Sequence, residues 1–251
     1  MIYFIGAGPG DVELITVKGR RLIGECPIII YAGSLVNGEI LNYAKPDAKI
    51  YNSAHMDLDE IIDIMEQAHE AGQDVARVHT GDPSIYGAIR EQMERLDKLS
   101  IDYEIVPGVS SLMGASAVLK RELTVPGQSQ TVIITRAPGR TPVPEGESIR
   151  DLARHKATMA IFLSVDKIDQ VAKELAREYG NNTPVAVVYK ATWDDEKIVT
   201  ARLSDIAQKV KNEGINKTAL ILVGGFLSDN FEPSLLYDKT FTHGYRKAKE
   251  C

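Results

Sequence analysis

The sequence predicts an α/β protein with two α/β domains and an interdomain cleft. Apolar runs of strand length alternate with segments of helical periodicity along the whole chain. This alternation is typical of a mainly parallel sheet covered by helices. Pro126 and Gly127 interrupt the pattern, so we expect residues 1–123 to form an N-terminal α/β domain and residues 124–251 a C-terminal α/β domain with a polar tail.

Individual elements follow from the same periodicity. In the first half we predict strands at residues 2–5, 28–31, 74–79 and 103–106, and helices at 14–25, 58–71, 89–99 and 110–120. In the second half we predict strands at residues 131–135, 159–163, 185–189, 198–201 and 219–223, and helices at 148–155, 168–178 and 203–212.

Composition limits the classes of function. The 251 residues are 44% hydrophobic with a net charge of −6, so binding to nucleic acid or to an anionic membrane is not expected. No stretch has the length of a signal sequence or a membrane span. We interpret Cys26 and Cys251 as reduced thiols of a cytoplasmic protein, and no cluster of ligand residues predicts a bound metal.

The glycine-rich residues 6–11 (GAGPGD) follow the first strand. A dinucleotide-binding turn needs glycine where Asp11 stands and free N–H groups for a pyrophosphate, whereas Pro9 has no N–H. The turn therefore favours a ligand without phosphates, such as S-adenosylmethionine. A tight turn in which Asp11 caps the next helix is the alternative, and it is compatible with a ligand.

Two later turns repeat this strand-turn-helix pattern. Residues 80–83 (TGDP) end a strand, and we expect Pro83 in the first turn of a helix with Asp82 as its N-cap. Residues 106–111 (VPGVSS) end the next strand. A capping turn without function is the alternative for each, but open α/β sheets bind ligands at the carboxyl ends of their strands.

Taken together, these segments identify a family resemblance. Residues 6–11, 14–19 (LITVKG), 81–83 (GDP) and 106–109 (VPGV) resemble the tetrapyrrole methylases in order and spacing. Residues 31–36, 77–88, 135–144, 188–193 and 236–244 are similar to the group that methylates C-11 of precorrin-4 or cobalt-precorrin-4. The resemblance implies a class III methyltransferase fold, a homodimer, and methyl transfer from S-adenosylmethionine to a tetrapyrrole in cobalamin biosynthesis, leaving S-adenosylhomocysteine.

The resemblance also implies cofactor contacts in both halves of the chain, at Pro9, Thr80, Gly81, Asp82, Ile85, Ser110, Ser111, Leu163 and Ala191. Leu163 and Ala191 stand where the family often has methionine and glycine, so we expect contact there mainly through the backbone. Two other functions stay open: methylation of a different precorrin, and a carrier that holds a tetrapyrrole without consuming methyl donor.

The substrate class carries many carboxylates, so basic side chains near the motif turns are candidates for binding it. We favour Arg136, Arg140 and Lys190, with Tyr86 as a pocket aromatic, and expect other cations such as Arg77 and Arg90 to be solvated.

Methyl transfer from a sulfonium mainly requires alignment and exclusion of water. Candidate bases are His55, His79, Asp57 and Glu104, but none is assigned a catalytic role. We expect His55 to lie in a loop or helix entry, and His79 to be a core or loop histidine with its hydrogen bonds satisfied.

Overall fold

The computed structural model describes residues 1–249, which divide into two compact units. Met1–Val118 and the segment Lys190–Lys197 form the first unit, and the second contains Leu119–Tyr189 and the described residues from Ile198 onward. Each unit has its own five-stranded sheet. The predicted domain boundary between residues 123 and 124 stays a prediction. Cys26 is a buried free thiol whose pKa burial raises to about 12, whereas Cys251 lies outside the described residues.

Neighbouring strands in the sheet of the first unit run parallel, as predicted. Its strands, in the spatial order β3-β2-β4-β1-β5, are β1 (Ile2–Gly6), β2 (Ile28–Tyr31), β3 (Lys49–Asn52), β4 (Val75–His79) and β5 (Tyr103–Val106). Every residue of β4 is buried. Strand β3 was not predicted because its residues are mostly exposed and form no apolar run.

Four helices belong to the first unit: α1 (Val17–Glu25), α2 (Leu58–Glu70), α3 (Arg90–Leu99) and α4 (Ser111–Leu119). Helix α1 begins later than predicted because Thr16 accepts a hydrogen bond from the Gly19 N–H as its N-cap. Helix α2 begins with a capping box formed by Asp57 and Glu60. Short 3₁₀ helices cover Val12–Leu14, Gly38–Tyr43 and Ser53–His55.

The sheet of the second unit is mixed, which corrects the prediction of a mainly parallel arrangement. Its spatial order is β6-β7-β10-β8-β9, where β6 is Val132–Arg136, β7 is Thr158–Phe162, β8 is Pro184–Tyr189, β9 is Lys197–Arg202 and β10 is Ala219–Val223. Strand β10 is antiparallel to both β7 and β8, and β6 is parallel to β7. Hydrophobic periodicity identifies strands but does not encode their direction.

Three helices accompany this sheet: α5 (Ile149–Ala153), α6 (Ile168–Tyr179) and α7 (Ile206–Asn212). Further 3₁₀ helices cover Val165–Lys167, Gly225–Leu227 and Leu235–Tyr237, and the polar tail beyond residue 230 is mostly exposed. Within residues 1–249, no helix is long and apolar enough to cross a membrane. The same residues contain no group of three or more His, Cys, Asp or Glu side chains that could hold a metal ion.

Helix α3 offers a matched test of the core of the first unit. The side chain of Leu96 is fully buried, whereas Leu99 in the same helix is 38% exposed. We expect Leu96→Ala to lower the free energy of unfolding by about 2–5 kcal/mol, because it leaves a cavity among packed side chains. Leu99→Ala should cost less than about 1 kcal/mol. Urea unfolding followed by circular dichroism measures both, and equal losses would contradict this packing.

Candidate functional site

Three loops meet at the carboxyl edge of the first sheet. Strand β1 lies between β4 and β5, so the loops after Gly6, His79 and Val106 leave neighbouring strands on the same side. The first two loops are joined by backbone hydrogen bonds, from Gly81 N–H to Gly8 O at 2.8 Å and from Gly8 N–H to Gly81 O at 3.3 Å. Ligands of open α/β sheets bind at this edge.

Glycine is required where these loops touch. A Cβ on Gly108 would lie 2.1 Å from Gly81 O, and a Cβ on Gly6 would lie 2.6 Å from Gly108 Cα. Because the obstructing atoms belong to the backbone, no small side-chain movement could relieve the overlap. The three loops therefore form one framework that excludes side chains at its centre.

The Asp82 carboxylate ties the second loop to the third. Its Oδ1 accepts a hydrogen bond from Ser84 N–H at 2.8 Å, and its Oδ2 accepts one from Gly108 N–H at 2.9 Å. The prediction that Asp82 caps a helix beginning at Pro83 is wrong, because α3 begins only at Arg90. The intervening residues form a turn instead.

The first loop is covered by the segment Lys190–Lys197 of the same unit. Trp193 donates its Nε1–H to Pro9 O at 2.8 Å, and Thr192 Oγ1 accepts from Asp11 N–H at 3.0 Å. A Cβ on Gly10 would lie 2.1 Å from Trp193 Cδ1, so the indole packs directly on the glycine. The sequence interpretation assigned Trp193 no role, although it is the single tryptophan and lies within a matched motif.

The glycine N–H groups at the contacts between the loops are not free to bind a phosphate group. The N–H groups of Gly8, Gly81 and Gly108 all donate within the protein, and Pro9 has none. Residues 6–11, 80–85 and 107–111 contain Asp11 and Asp82 but no Lys or Arg. As predicted, Asp11 acts as a cap, accepting from Glu13 N–H at the 3₁₀ helix that begins at Val12. This edge fits a ligand that carries positive charge.

Most of the predicted cofactor residues belong to these loops of the first unit. Pro9, Gly81, Ser110 and Ala191 are buried, and Thr80, Asp82, Ile85 and Ser111 are half-buried. Leu163 belongs to the second unit, where it directly follows β7 with a φ of 51° and its side chain is 67% exposed.

The predicted substrate residues have different surroundings. Tyr86 and Lys190 belong to the first unit, where Lys190 Nζ pairs with Asp195 at 2.6 Å and lies 5.0 Å from the centre of a Trp193 ring. Arg136 and Arg140 belong to the second unit. The Arg136 guanidinium donates to the carbonyl oxygens of residues 141 and 142 at 3.1 and 2.8 Å, so it holds the proline-rich loop that carries the exposed Arg140.

A cavity of about 260 Å³ adjoins the second loop. Its wall includes Thr80, Ile85 and Tyr86 from that loop, together with Arg77 and His79 from β4. Arg77 is buried, so the expectation of a solvated cation is wrong for this residue. The sequence places Arg77 in a predicted strand, but only the structure shows that this strand is buried on both faces.

His79 lines the same cavity and is buried, but Nε2 has no hydrogen-bond partner. The expectation that its hydrogen bonds are satisfied is therefore wrong. Burial, with a smaller contribution from the positive charge of Arg77, lowers the pKa of His79 to about 3. The imidazole is consequently neutral near physiological pH.

The other candidate bases have structural roles or lie in solvent. Asp57 accepts from the Glu60 N–H as the cap of α2, and Glu104 forms an ion pair with Lys18. His55 is exposed in a 3₁₀ helix, as expected.

A larger depression of about 530 Å³ lies in the second unit beside α6 and α7, and none of the predicted site residues lines it.

Comparisons with known proteins agree with this geometry. The family model of the Tetrapyrrole (Corrin/Porphyrin) Methylases matches residues 1–207. A cobalt-precorrin-4 C(11)-methyltransferase of Methanocaldococcus jannaschii is 61% identical over 249 residues, covering 98% of this chain and 96% of that protein.

Two solved structures have the same fold. The X-ray structure of a cobalamin biosynthetic enzyme, a cobalt precorrin-4 methyltransferase, matches with a TM-score of 0.88 and 49% identity, covering 90% of this chain and 95% of that one. Uroporphyrin-III C-methyl transferase from Thermus thermophilus, complexed with S-adenyl homocysteine, matches with a TM-score of 0.73 and 30% identity over 90% and 92% of the two chains. The predicted α/β fold class is confirmed, and the chain belongs to the tetrapyrrole (corrin/porphyrin) methylases.

Proposed function

We propose that this chain transfers a methyl group from S-adenosylmethionine to C-11 of cobalt-precorrin-4 or precorrin-4 in cobalamin biosynthesis. The structural observation that carries the proposal is the glycine framework of three loops at the carboxyl edge of the first sheet. It is supported by the similarity over nearly the whole chain to an enzyme named for that reaction.

The loops suit the charge of the methyl donor. S-adenosylmethionine carries a sulfonium, an ammonium and a carboxylate group, so it is cationic overall and has no phosphate, and the loops carry carboxylates without Lys or Arg. A sulfonium supplies the methyl group and leaves as a neutral thioether, so this chain needs no acid for the leaving group. We assign donor binding to Pro9, Thr80, Gly81, Asp82, Ile85, Ser110, Ser111, Leu163 and Ala191. The complex of the Thermus thermophilus relative with S-adenyl homocysteine supports S-adenosylmethionine as the methyl donor.

Substrate binding is assigned to Arg136, Arg140, Lys190 and Tyr86. Arg140 is exposed on a loop that the Arg136 guanidinium holds from within, which leaves its charge available to a carboxylate. The ion pair of Lys190 with Asp195 is half-exposed, and exposed pairs exchange partners at little cost. We propose that the protein binds no metal ion of its own.

The assembly and location are also proposals. The resemblance implies a homodimer, the two cysteines favour the cytoplasm, and we propose neither nucleic acid nor a membrane as partner. The net charge of −6 supports the absence of nucleic acid, because a phosphate backbone would be repelled. Analytical ultracentrifugation of the purified chain tests the dimer.

The reaction can be tested directly with purified protein. Incubation with cobalt-precorrin-4 and ¹³C-methyl S-adenosylmethionine should give a product with one added methyl group, which NMR places at C-11. Substrate binding without consumption of the donor would instead favour a carrier, and methylation at another ring position would favour a different precorrin methylase. Either result would overturn the proposal.

Substitution in the glycine framework should abolish cofactor binding. Gly108→Ala places a methyl group against Gly81 O, so the second and third loops must separate. We expect the affinity for S-adenosylhomocysteine, measured by isothermal titration calorimetry, to fall at least about tenfold, or ~1.4 kcal/mol. Gly38→Ala is the matched control, since nothing lies within 4 Å of its added Cβ, and it should bind as the unmodified chain does.

The Asp82 carboxylate should matter through both of its oxygens. In Asp82→Asn one oxygen becomes an amide NH₂ group, which cannot accept from the Ser84 or Gly108 N–H. An unmade hydrogen bond of this kind costs about 1–3 kcal/mol, so the same titration should give an affinity about fivefold to a hundredfold weaker. Asp63→Asn on the exposed face of α2 removes the same charge and should leave the affinity unchanged. Equal behaviour of the two variants would mean that Asp82 does not organise the site.

A further inference from the structure

The cavity of about 260 Å³ beside the second loop is lined by a buried cation, Arg77. Within residues 1–249 this cation has no acidic partner. Arg77 donates to three neutral oxygen atoms: Gln92 Oε1 at 3.1 Å, Ser53 Oγ at 3.0 Å and Ile30 O at 3.4 Å. Burial lowers the pKa of Arg77 to about 10, and no carboxylate within residues 1–249 offsets that effect. The guanidinium is nevertheless charged at neutral pH.

His79 is a second buried polar residue in the same cavity wall. It is two residues from Arg77 in β4, so both side chains project from the same face of the sheet. The ring packs against Phe4, with 5.9 Å between centroids, and Nε2 has no partner although the residue is only 4% exposed. A buried polar atom without a partner is rare, so Nε2 requires a partner that residues 1–249 do not supply.

The remaining groups around the cavity leave this positive charge in place. Helix α2 contributes apolar side chains, Leu58 and Ile61, and the loop after β2 contributes Ala32 and Leu35. Tyr86 and Glu91 are the other titratable residues of the lining, and both are exposed. The inner wall is therefore cationic and otherwise mostly apolar, whereas the acidic Glu91 lies toward solvent.

We propose that this cavity is a carboxylate-binding subsite, in which Arg77 pairs with a ligand carboxylate and the neutral His79 donates a hydrogen bond to it from Nε2. A charge-assisted pair formed with a buried cation is stronger than the same pair in solvent. The proposal rests on the proposed function, which supplies two sources of carboxylate: the side chains of the tetrapyrrole and the amino-acid end of the methyl donor. The proposed function assigns Thr80 and Ile85 to the donor and Tyr86 to the tetrapyrrole, so it places both ligands beside this loop.

The backbone of this loop is consistent with a built site. Tyr86 and Ala88 have φ values of 55° and 49°, a conformation that non-glycine residues adopt at a cost. Such strain is concentrated at ligand sites, where the surrounding structure enforces it. Ala88 O also accepts from Gln92 Nε2 at 3.0 Å, which connects the loop to the residue that holds Arg77.

Three variants test the subsite in the full chain. Arg77→Gln removes the charge, His79→Phe removes the nitrogen but keeps a ring, and His79→Gln restores an N–H donor. Arg90→Gln is the matched control, because Arg90 is exposed and does not line the cavity. Circular dichroism and thermal unfolding test whether each variant folds. If Arg77→Gln does not fold, the two His79 variants test the subsite.

One arm measures steady-state methylation of cobalt-precorrin-4, and the other measures the affinities of S-adenosylhomocysteine and of 5′-methylthioadenosine, which lacks the carboxylate. If the tetrapyrrole supplies the carboxylate, Arg77→Gln and His79→Phe should raise KM for cobalt-precorrin-4 at least about tenfold while kcat changes little. If the donor supplies it, only S-adenosylhomocysteine should lose affinity. His79→Gln should recover part of either loss.

Folded variants that keep the original KM and the original ratio of the two affinities would overturn the subsite. That result would leave the proposed function intact, because the unmodified chain would still methylate its substrate. An unmodified chain that does not methylate would instead contradict the proposed function, while the affinities of the two adenosyl ligands would still test the cavity without turnover.

Discussion

The candidate site depends on one steric constraint, the contact between the backbones of Gly6, Gly81 and Gly108. Strand order places β1 between β4 and β5, so their loops emerge side by side, but a single methyl group at this contact would keep them apart. With the loops in contact, the Asp82 carboxylate reaches the Gly108 N–H and the first two loops exchange backbone hydrogen bonds. The edge is therefore ordered by its own contacts, and a ligand need not supply the free energy of ordering it.

The same constraint determines which ligands the edge accepts. A phosphate-binding turn leaves its backbone N–H groups free, whereas here the loops use theirs to bind one another. Thr192 strengthens this effect, because its Oγ1 accepts a hydrogen bond from the Asp11 N–H, while the indole of Trp193 packs on Gly10. The remaining charge of the loops is negative. Geometry and charge thus both disfavour a dinucleotide, at Pro9 and Asp11 and along the rest of the edge.

The sequence predicted the elements of the fold and the three turns, because hydrophobic periodicity and the pair of glycine and proline are local signals. It did not predict what depends on the spatial order of strands. The antiparallel direction of β10 is one example, and the exposed strand β3 is another. Asp82 was interpreted as a helix cap because its partner, Gly108 N–H, is distant in sequence. Arg77 was interpreted as solvated because the sequence alone does not show that β4 lies at the centre of the sheet.

Arg77 and His79 are difficult to explain as contributions to stability. Placing a guanidinium and an imidazole in a buried strand forfeits their hydration, and neutral acceptors or an absent partner return only part of that free energy. Apolar residues pack elsewhere on the same face of the sheet, for example Val75 beside Ile2 and Ile28, and they would avoid this cost. The two polar residues instead lie where β4 ends, next to a cavity and a loop with two strained residues. Because their desolvation is already complete in the folded chain, a carboxylate entering the cavity would meet a positive charge and a donor that need no further reorganisation.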